Sequence, residues 1–157
     1  MLEIVKAKIE DSKKLFELQV ESFMATLEKY KDYETNPANE KIDRIIARIN
    51  QTCTDYYLIR LDNEYIGGIR VINEDDQKSA IISPMFIIPE HQNKGYGAEI
   101  IKIIEKKYDH IKVWKLETII EENRNCHFYE KMGYMKTGKI DNINERMNLV
   151  YYEKLKI

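Results

Sequence analysis

The stretch from Ala80 to Ala98 constrains this chain more than any other. An apolar, β-rich run from Ala80 to Ile88 stops at Pro89. It then passes through the polar residues Glu90-His91-Gln92-Asn93-Lys94 and reaches Gly95-Tyr96-Gly97 at the mouth of an amphipathic helix. That helix is predicted over Ala98 to Tyr108, with Ile100, Ile101, Ile104 and Tyr108 on one face and Lys102, Glu105 and Lys106 on the other. A strand handing over to a helix through such a turn aims several backbone N–H groups at one spot. The helix dipole adds about half a positive charge there. Glycine at 95 and 97 lets the backbone approach an anion with no Cβ in the way. The local residues admit two readings, a pyrophosphate cradle or a plain glycine-rich connection.

Two familiar phosphate loops fail on this stretch. A dinucleotide fingerprint needs a third small residue three places after Gly97, and that position is Ile100. A nucleoside-triphosphate loop needs Gly-Lys followed by Ser or Thr, and no such triplet occurs.

The elements around it predict a mixed α/β sheet. Leu2 to Ile9 reads as a first strand, and Asp11 or Ser12 as the cap of a helix running through Leu15, Phe16, Gln19, Val20, Phe23 and Leu27 to about Lys29. Asn36-Pro37 reads as the start of a second helix, with Ile42, Ile45, Ile46 and Ile49 as its apolar stripe. Tyr56 to Leu61 and Tyr65 to Ile72 form a predicted hairpin over Asp62-Asn63-Glu64. With Ala80 to Ile88 they make an antiparallel meander. Val113 to Ile120 is a further strand, Asn123 to Met132 a short helix ended by Gly133, and Tyr134 onward one or two final strands. The expected architecture is a mostly antiparallel central sheet flanked by helices.

At 157 residues the chain is expected to form a single domain spanning 1–157. Its 25 basic against 27 acidic residues leave a formal charge of −2, which lacks the basic excess of a general nucleic-acid binder. No apolar run approaches a membrane span, and the N-terminal residues lack the apolar core of a signal peptide. Cys53 and Cys126 are far apart and belong to no Cys-x-x-Cys pair, so no metal site is expected and both read as reduced thiols of a cytoplasmic protein.

The run Phe86-Ile87-Ile88-Pro89 with Gln92-Asn93-Lys94-Gly95-Tyr96-Gly97 resembles the acetyl-CoA-binding motif of the GCN5-related N-acetyltransferase superfamily. Downstream, Phe128-Tyr129-Glu130-Lys131-Met132-Gly133-Tyr134 resembles that superfamily's Tyr-Glu-Lys-Leu-Gly-Phe signature. The two motifs stand in order on the expected elements, and the element order covers the chain. The resemblance implies an acyl-CoA N-acyltransferase-like fold and acetyl transfer from acetyl-CoA to a primary amine of a small molecule or peptide. It also implies that Gln92, Asn93, Lys94, Gly95, Tyr96, Gly97 and Ala98 hold the pyrophosphate, and that Phe86, Ile87 and Ile88 pair through their backbone with the pantetheine arm. The family's bulge in this strand matches Pro84, unless the strand simply begins at Met85.

Under the same resemblance Tyr129 is the general acid. An amine adds to the thioester, an oxyanion forms near the N–H of Ile87 or Ile88, and a phenol protonates the departing thiolate. The alternative is that Tyr129 is an amphipathic core residue. The family's cofactor-contacting Asn, seven places before the tyrosine, is here Glu122, with Asn123 one place late. Among carboxylates in the strand after the cofactor helix, Glu117 is the candidate base, or a solvated strand residue, with a water chain as the other route. His91 and His127 fall where the family varies and read as surface or cofactor-adjacent residues. The segment Tyr30 to Asn36 corresponds to a wall of the acceptor site. There Tyr30, Tyr33 and Glu34 would suit a cationic amine, or the segment is an exposed loop. A catalytically silent acyl-CoA-binding module remains the alternative to an enzyme. Family members are often dimers, and Tyr151, Tyr152 and Leu155 would serve such an interface or only the last strand.

Overall fold

In the computed structural model, which describes residues 1–156, seven strands form one sheet in the order β1-β2-β3-β4-β5-β7-β6. The strands are β1 (Leu2–Lys6), β2 (Thr54–Leu61), β3 (Glu64–Asn73), β4 (Ser79–Ile87), β5 (Val113–Ile119), β6 (Met135–Asn144) and β7 (Met147–Leu155). Four helices flank it: α1 (Ser12–Tyr30), α2 (Ile42–Asn50), α3 (Tyr96–Lys107) and α4 (Asn123–Lys131). Only β4 and β5 run parallel, because α3 crosses between them; every other pairing is antiparallel. The expected architecture is the observed one.

The predicted periodicities find their core. Ile100, Ile101 and Ile104 of α3 are fully buried, as are Ile45 of α2, Leu15 of α1, and Ile59, Ile66, Ile69 and Trp114 of the sheet. The β2–β3 hairpin turns over Asp62 and Asn63 alone, with Glu64 already paired to Leu61. Tyr152 belongs to this core rather than to an outer surface, and its hydroxyl donates to Glu130 Oε2 at 2.6 Å. Among the described residues no helix is long and apolar enough to cross a membrane.

Three local expectations are corrected. β1 ends at Lys6, not Ile9, because a single 3-10 turn occupies Ile9–Asp11. Asp11 stands at the N-cap of α1, but its carboxylate accepts the N–H of Lys8 at 2.8 Å, and Ser12 Oγ donates back to the Ile9 carbonyl at 2.7 Å. Neither side chain therefore caps the first turn of α1. Asn36 does cap, accepting the Ala38 N–H at 2.8 Å, yet the turn it opens is a 3-10 turn over Pro37–Asn39 and α2 starts only at Ile42. Tertiary anchors interrupt the helix there. Gln19 Nε2 donates to the Pro37 carbonyl at 2.9 Å, and Glu40, in extended backbone, is bound by Arg48.

One irregularity shapes the rest of the molecule. Between the pairs Ile69–Met85 and Val71–Ile82, β3 spends one residue, Arg70, while β4 spends two, Ser83 and Pro84. The strand thus runs through Pro84 and bulges there, rather than starting at Met85. A bulge bends its strand and sharpens the local twist. β4 pairs with β5 only from Ser79 to Ile81, and past that point the two strands part while β5 continues alongside β7.

Candidate active site

The parting of β4 and β5 opens a slot continuous with a cavity of about 730 Å³ reaching the loop before α2. Strand alternation decides which groups of β4 face the slot. Ile88 donates its N–H to the Ile66 carbonyl at 2.9 Å, so Ile88 and, two residues back, Phe86 turn their backbone groups toward β3. Met85 and Ile87 turn theirs the other way, where no strand pairs with them. Of the expected Phe86, Ile87 and Ile88, only Ile87 has its backbone available in the slot. The second such residue is Met85, which the motif alone did not indicate. Phe86 and Ile88 instead bury their side chains, with the Phe86 ring edge-on to Phe23 at 5.7 Å. The Ile87 carbonyl is taken by Gln92 Nε2 at 2.7 Å, which ties the end of β4 to the turn that follows.

That turn holds Asn93 at φ 63 and Gly95 at φ 85, and α3 begins at Tyr96, two residues earlier than the apolar pattern suggested. Gly95 is the N-cap and has no side chain to cap with, so the N–H groups of Tyr96, Gly97 and Ala98 are left to a ligand or solvent. Space beside Gly95 is open, since a Cβ built there meets nothing within 4 Å. The two glycines are needed for different reasons. Gly95 supplies the left-handed conformation, whereas a Cβ on Gly97 would come to 3.3 Å from the Phe128 ring of α4. Gln92, Asn93 and Lys94 are exposed along the same turn. Arg124, not anticipated from sequence, joins them by donating Nη1 to Asn93 Oδ1 at 2.9 Å.

Tyr129, near the end of the short α4, lines the cavity. Its ring packs against Phe128 and Tyr134 at centroid distances of 5.0 and 6.0 Å. Its hydroxyl has no protein partner among the described residues, and burial pushes the phenol up to about 12. It is therefore a protonated donor across the neutral range. Glu117 of β5 lies on the same cavity, exposed, and faces Tyr151 in register on β7.

The acceptor-wall residues divide. Glu34 lines the cavity and is exposed. Tyr33 is 58% exposed and outside it. Tyr30 is buried and donates its hydroxyl to Glu122 Oε2, so it does not face an acceptor. Burial pushes the Glu122 carboxyl up, but the hydrogen bonds from Lys29 and Tyr30 outweigh it and hold the group below the usual carboxylate range. The position seven before Tyr129 is thus a clamp on the C-terminal end of α1. Asn123, exposed at the first position of α4, is not among the cavity residues, whereas Asn125 is. Asn125 carried no sequence signal, because which face of a nine-residue helix meets the cavity follows from packing alone. His91 sits on the far side of the turn with Nε2 3.7 Å from Glu64, and His127 is exposed.

The comparisons agree with this geometry. The sequence profile of the acetyltransferase (GNAT) family matches residues 13–134. No curated protein sequence matches the chain. Among solved structures, spermidine N-acetyltransferase from Vibrio cholerae, in complex with CoA and spermine, superposes with TM-score 0.78 at 19% identity, covering 98% of this chain and 95% of that one. The Salmonella typhimurium acetyl transferase that modifies the N-terminal serine of a 50S ribosomal subunit protein gives 0.79 at 17%, with 99% and 95% covered. PaiA N-acetyltransferase from Thermoplasma acidophilum, in complex with coenzyme A, gives 0.74 at 20%, with 99% of each chain covered. By its sequence over residues 13–134, and with a fold to match, the chain belongs to the GNAT acetyltransferase family.

Proposed function

We propose that this protein transfers an acetyl group from acetyl-CoA to a primary amine. One observation carries the reading: the slot that β4 opens past Ile81 leads into the cavity onto which Tyr129, a phenol with no protein partner, also opens. That CoA or spermine is present in related structures supports the reading for the cofactor and for an amine acceptor.

The residues present fit an acyl-CoA. The uncapped N-terminus of α3 and the open space at Gly95 suit a pyrophosphate, with Arg124 beside it. The free backbone of Met85 and the free N–H of Ile87, whose carbonyl is held by Gln92, suit the amide groups of a pantetheine arm, which adds to β4 as a strand would. When bound, acetyl-CoA supplies a thioester carbonyl open to an amine and a thiolate as leaving group. Tyr129 holds the proton that this thiolate needs and, raised to about 12, keeps it at neutral pH. The N–H of Ile87 or Met85 is free to stabilise negative charge on the carbonyl oxygen; that of Ile88, already given to Ile66, is not. Glu117 takes the proton of the incoming ammonium, directly or through water.

Release of free thiol from acetyl-CoA, measured over a panel of primary amines, tests the proposal. Amine-dependent release that falls about a hundredfold in Tyr129→Phe supports it. Tight CoA binding with no release on any amine identifies the silent acyl-CoA module instead.

A further inference from the structure

The cavity wall carries a positive charge that no carboxylate among the described residues pairs with. Arg70 stands at the bulge, facing Ser83 and Pro84. Its Nε donates to the Ser83 carbonyl at 2.5 Å, and its two terminal nitrogens have no hydrogen-bond partner among the described residues. Among the described residues no carboxylate lies within ion-pair distance of it, although it is only partly exposed and lines the cavity. The acid whose charge reaches it, Glu40, is already committed. Glu40 accepts both terminal nitrogens of Arg48 at 2.8 and 2.6 Å, Gln19 Nε2 at 2.8 Å, and lies 3.7 Å from Arg44 Nε. Asp32 is buried and bonded within its own loop to Thr35. Burial first, and the like charge of Arg48 second, push the Arg70 guanidinium down to about 10. A half-buried cation without a counter-ion is disfavoured in the free protein, and a guanidinium fork is shaped for a carboxylate.

We propose that the acceptor is zwitterionic: a small molecule carrying the reactive primary amine and a carboxylate that Arg70 binds. Resting on the acetyltransferase reading, this names the class of its substrate. The two ends are close. Ser83, whose carbonyl holds Arg70, and Met85, whose free backbone faces the slot, flank Pro84 at the bulge. That closeness suits a free amino acid or a molecule little larger, with the carboxylate toward the bulge and the amine toward Tyr129 and Glu117.

The test compares acids with their own amides. In calorimetry with CoA present, N-acetyl amino acids are titrated beside the matching N-acetyl amino acid amides, which probes the subsite without turnover. Thiol release from acetyl-CoA is then compared between free amino acids, their amides and the decarboxylated amines of the same skeletons. Tenfold or greater preference for the carboxylate form, abolished in Arg70→Gln and reduced in Arg70→Lys, which keeps charge but loses the fork, is the expected result. Circular dichroism confirms that both variants fold, and the comparison on the unmodified protein needs neither. Equal binding of acid and amide, binding of neither, or a preference unchanged in both variants overturns the proposal. Carboxylate binding that depends on Arg70, with no thiol release on any amine, leaves the subsite standing and fails the enzyme. Brisk turnover of polyamines or amides in preference to acids does the reverse.

Discussion

Arg124 donates from Nη1 to Asn93 Oδ1 at 2.9 Å, joining the second residue of α4 to the first of two left-handed residues in the turn before α3. The helix that carries Tyr129 is thereby pinned to the turn that opens α3. In the proposed reaction, the phosphate end and the sulfur end of one long ligand are positioned by these two elements. Arg124→Ala is expected to weaken CoA binding about tenfold or more, the scale of one charge-assisted hydrogen bond. Calorimetric titration with CoA checks it, and an unchanged affinity would place Arg124 outside the phosphate site.

Tyr129→Phe separates chemistry from binding. The hydroxyl makes no protein hydrogen bond, so its removal costs the fold little. Acid catalysis contributes on the order of 10²–10⁴-fold, and a thiolate leaves tolerably unaided, so turnover is expected to fall toward the low end of that range with CoA affinity unchanged. Parallel turnover and affinity measurements decide it. A fall in both together would make Tyr129 a cofactor contact first.

The raised phenol also fixes the alkaline side of the pH profile. An acid works while protonated, and a phenol at about 12 rather than the ordinary 10 stays protonated two units further into base. Turnover is expected to rise with pH as the acceptor amine deprotonates and to show no fall through pH 10.5. A descending limb centred near 10 would mean that a solvated group, not Tyr129, supplies the proton.

Substituting the two turn glycines is expected to act by different routes. Gly95→Ala forces a side chain into a left-handed conformation, costing about 1–2 kcal/mol with no clash. Gly97→Val presses on Phe128, whose ring packs at 5.0 Å from Tyr129, and so disturbs α4. Thermal unfolding and CoA affinity together tell them apart: the first variant is expected to lose stability and the second to lose turnover as well as affinity.

Glu122 predicts a stability change with pH. Its folded carboxyl lies below its unfolded value, held there by Lys29 and Tyr30 against the effect of burial. The stabilisation is therefore complete above the unfolded value and disappears as pH falls through the folded one. Glu122→Gln is expected to cost about 1 kcal/mol at neutral pH, and the difference from the parent protein should vanish in acid. Denaturant unfolding at pH 7 and near pH 3 measures both ends, and a constant difference would refute the assignment.

Much of this was written in the chain. Periodicity located the four helices and the first five strands and left β6 and β7 as one or two strands after Tyr134, and the Gln92 to Gly97 and Phe128 to Tyr134 motifs marked the turn and Tyr129 on the cavity. What remained hidden depends on direction rather than identity. Nothing in Phe86-Ile87-Ile88 says which member of the run faces β3, because the bulge at Ser83 and Pro84 and the pairing of Ile88 with Ile66 set that parity. Tyr30 looked like an acceptor contact because its partner Glu122 lies far along the sequence. Arg70 was silent for the same reason: a lone arginine in a strand acquires meaning only when no carboxylate among the described residues proves to pair with it.

The parting of β4 from β5 leaves a seam of three residue pairs, Ser79–Ile81 with Val113–Lys115, between the first four strands and the last three. Amide exchange along β4 therefore has an alternating texture. Phe86 and Ile88, locked to β3, are expected to exchange slowly, while Met85 and Ile87, next to them and deep within the sheet, are expected to exchange like the rim of a molecule. The protein carries a solvent coast in its interior, and whatever fills it becomes the mortar between two halves of one sheet.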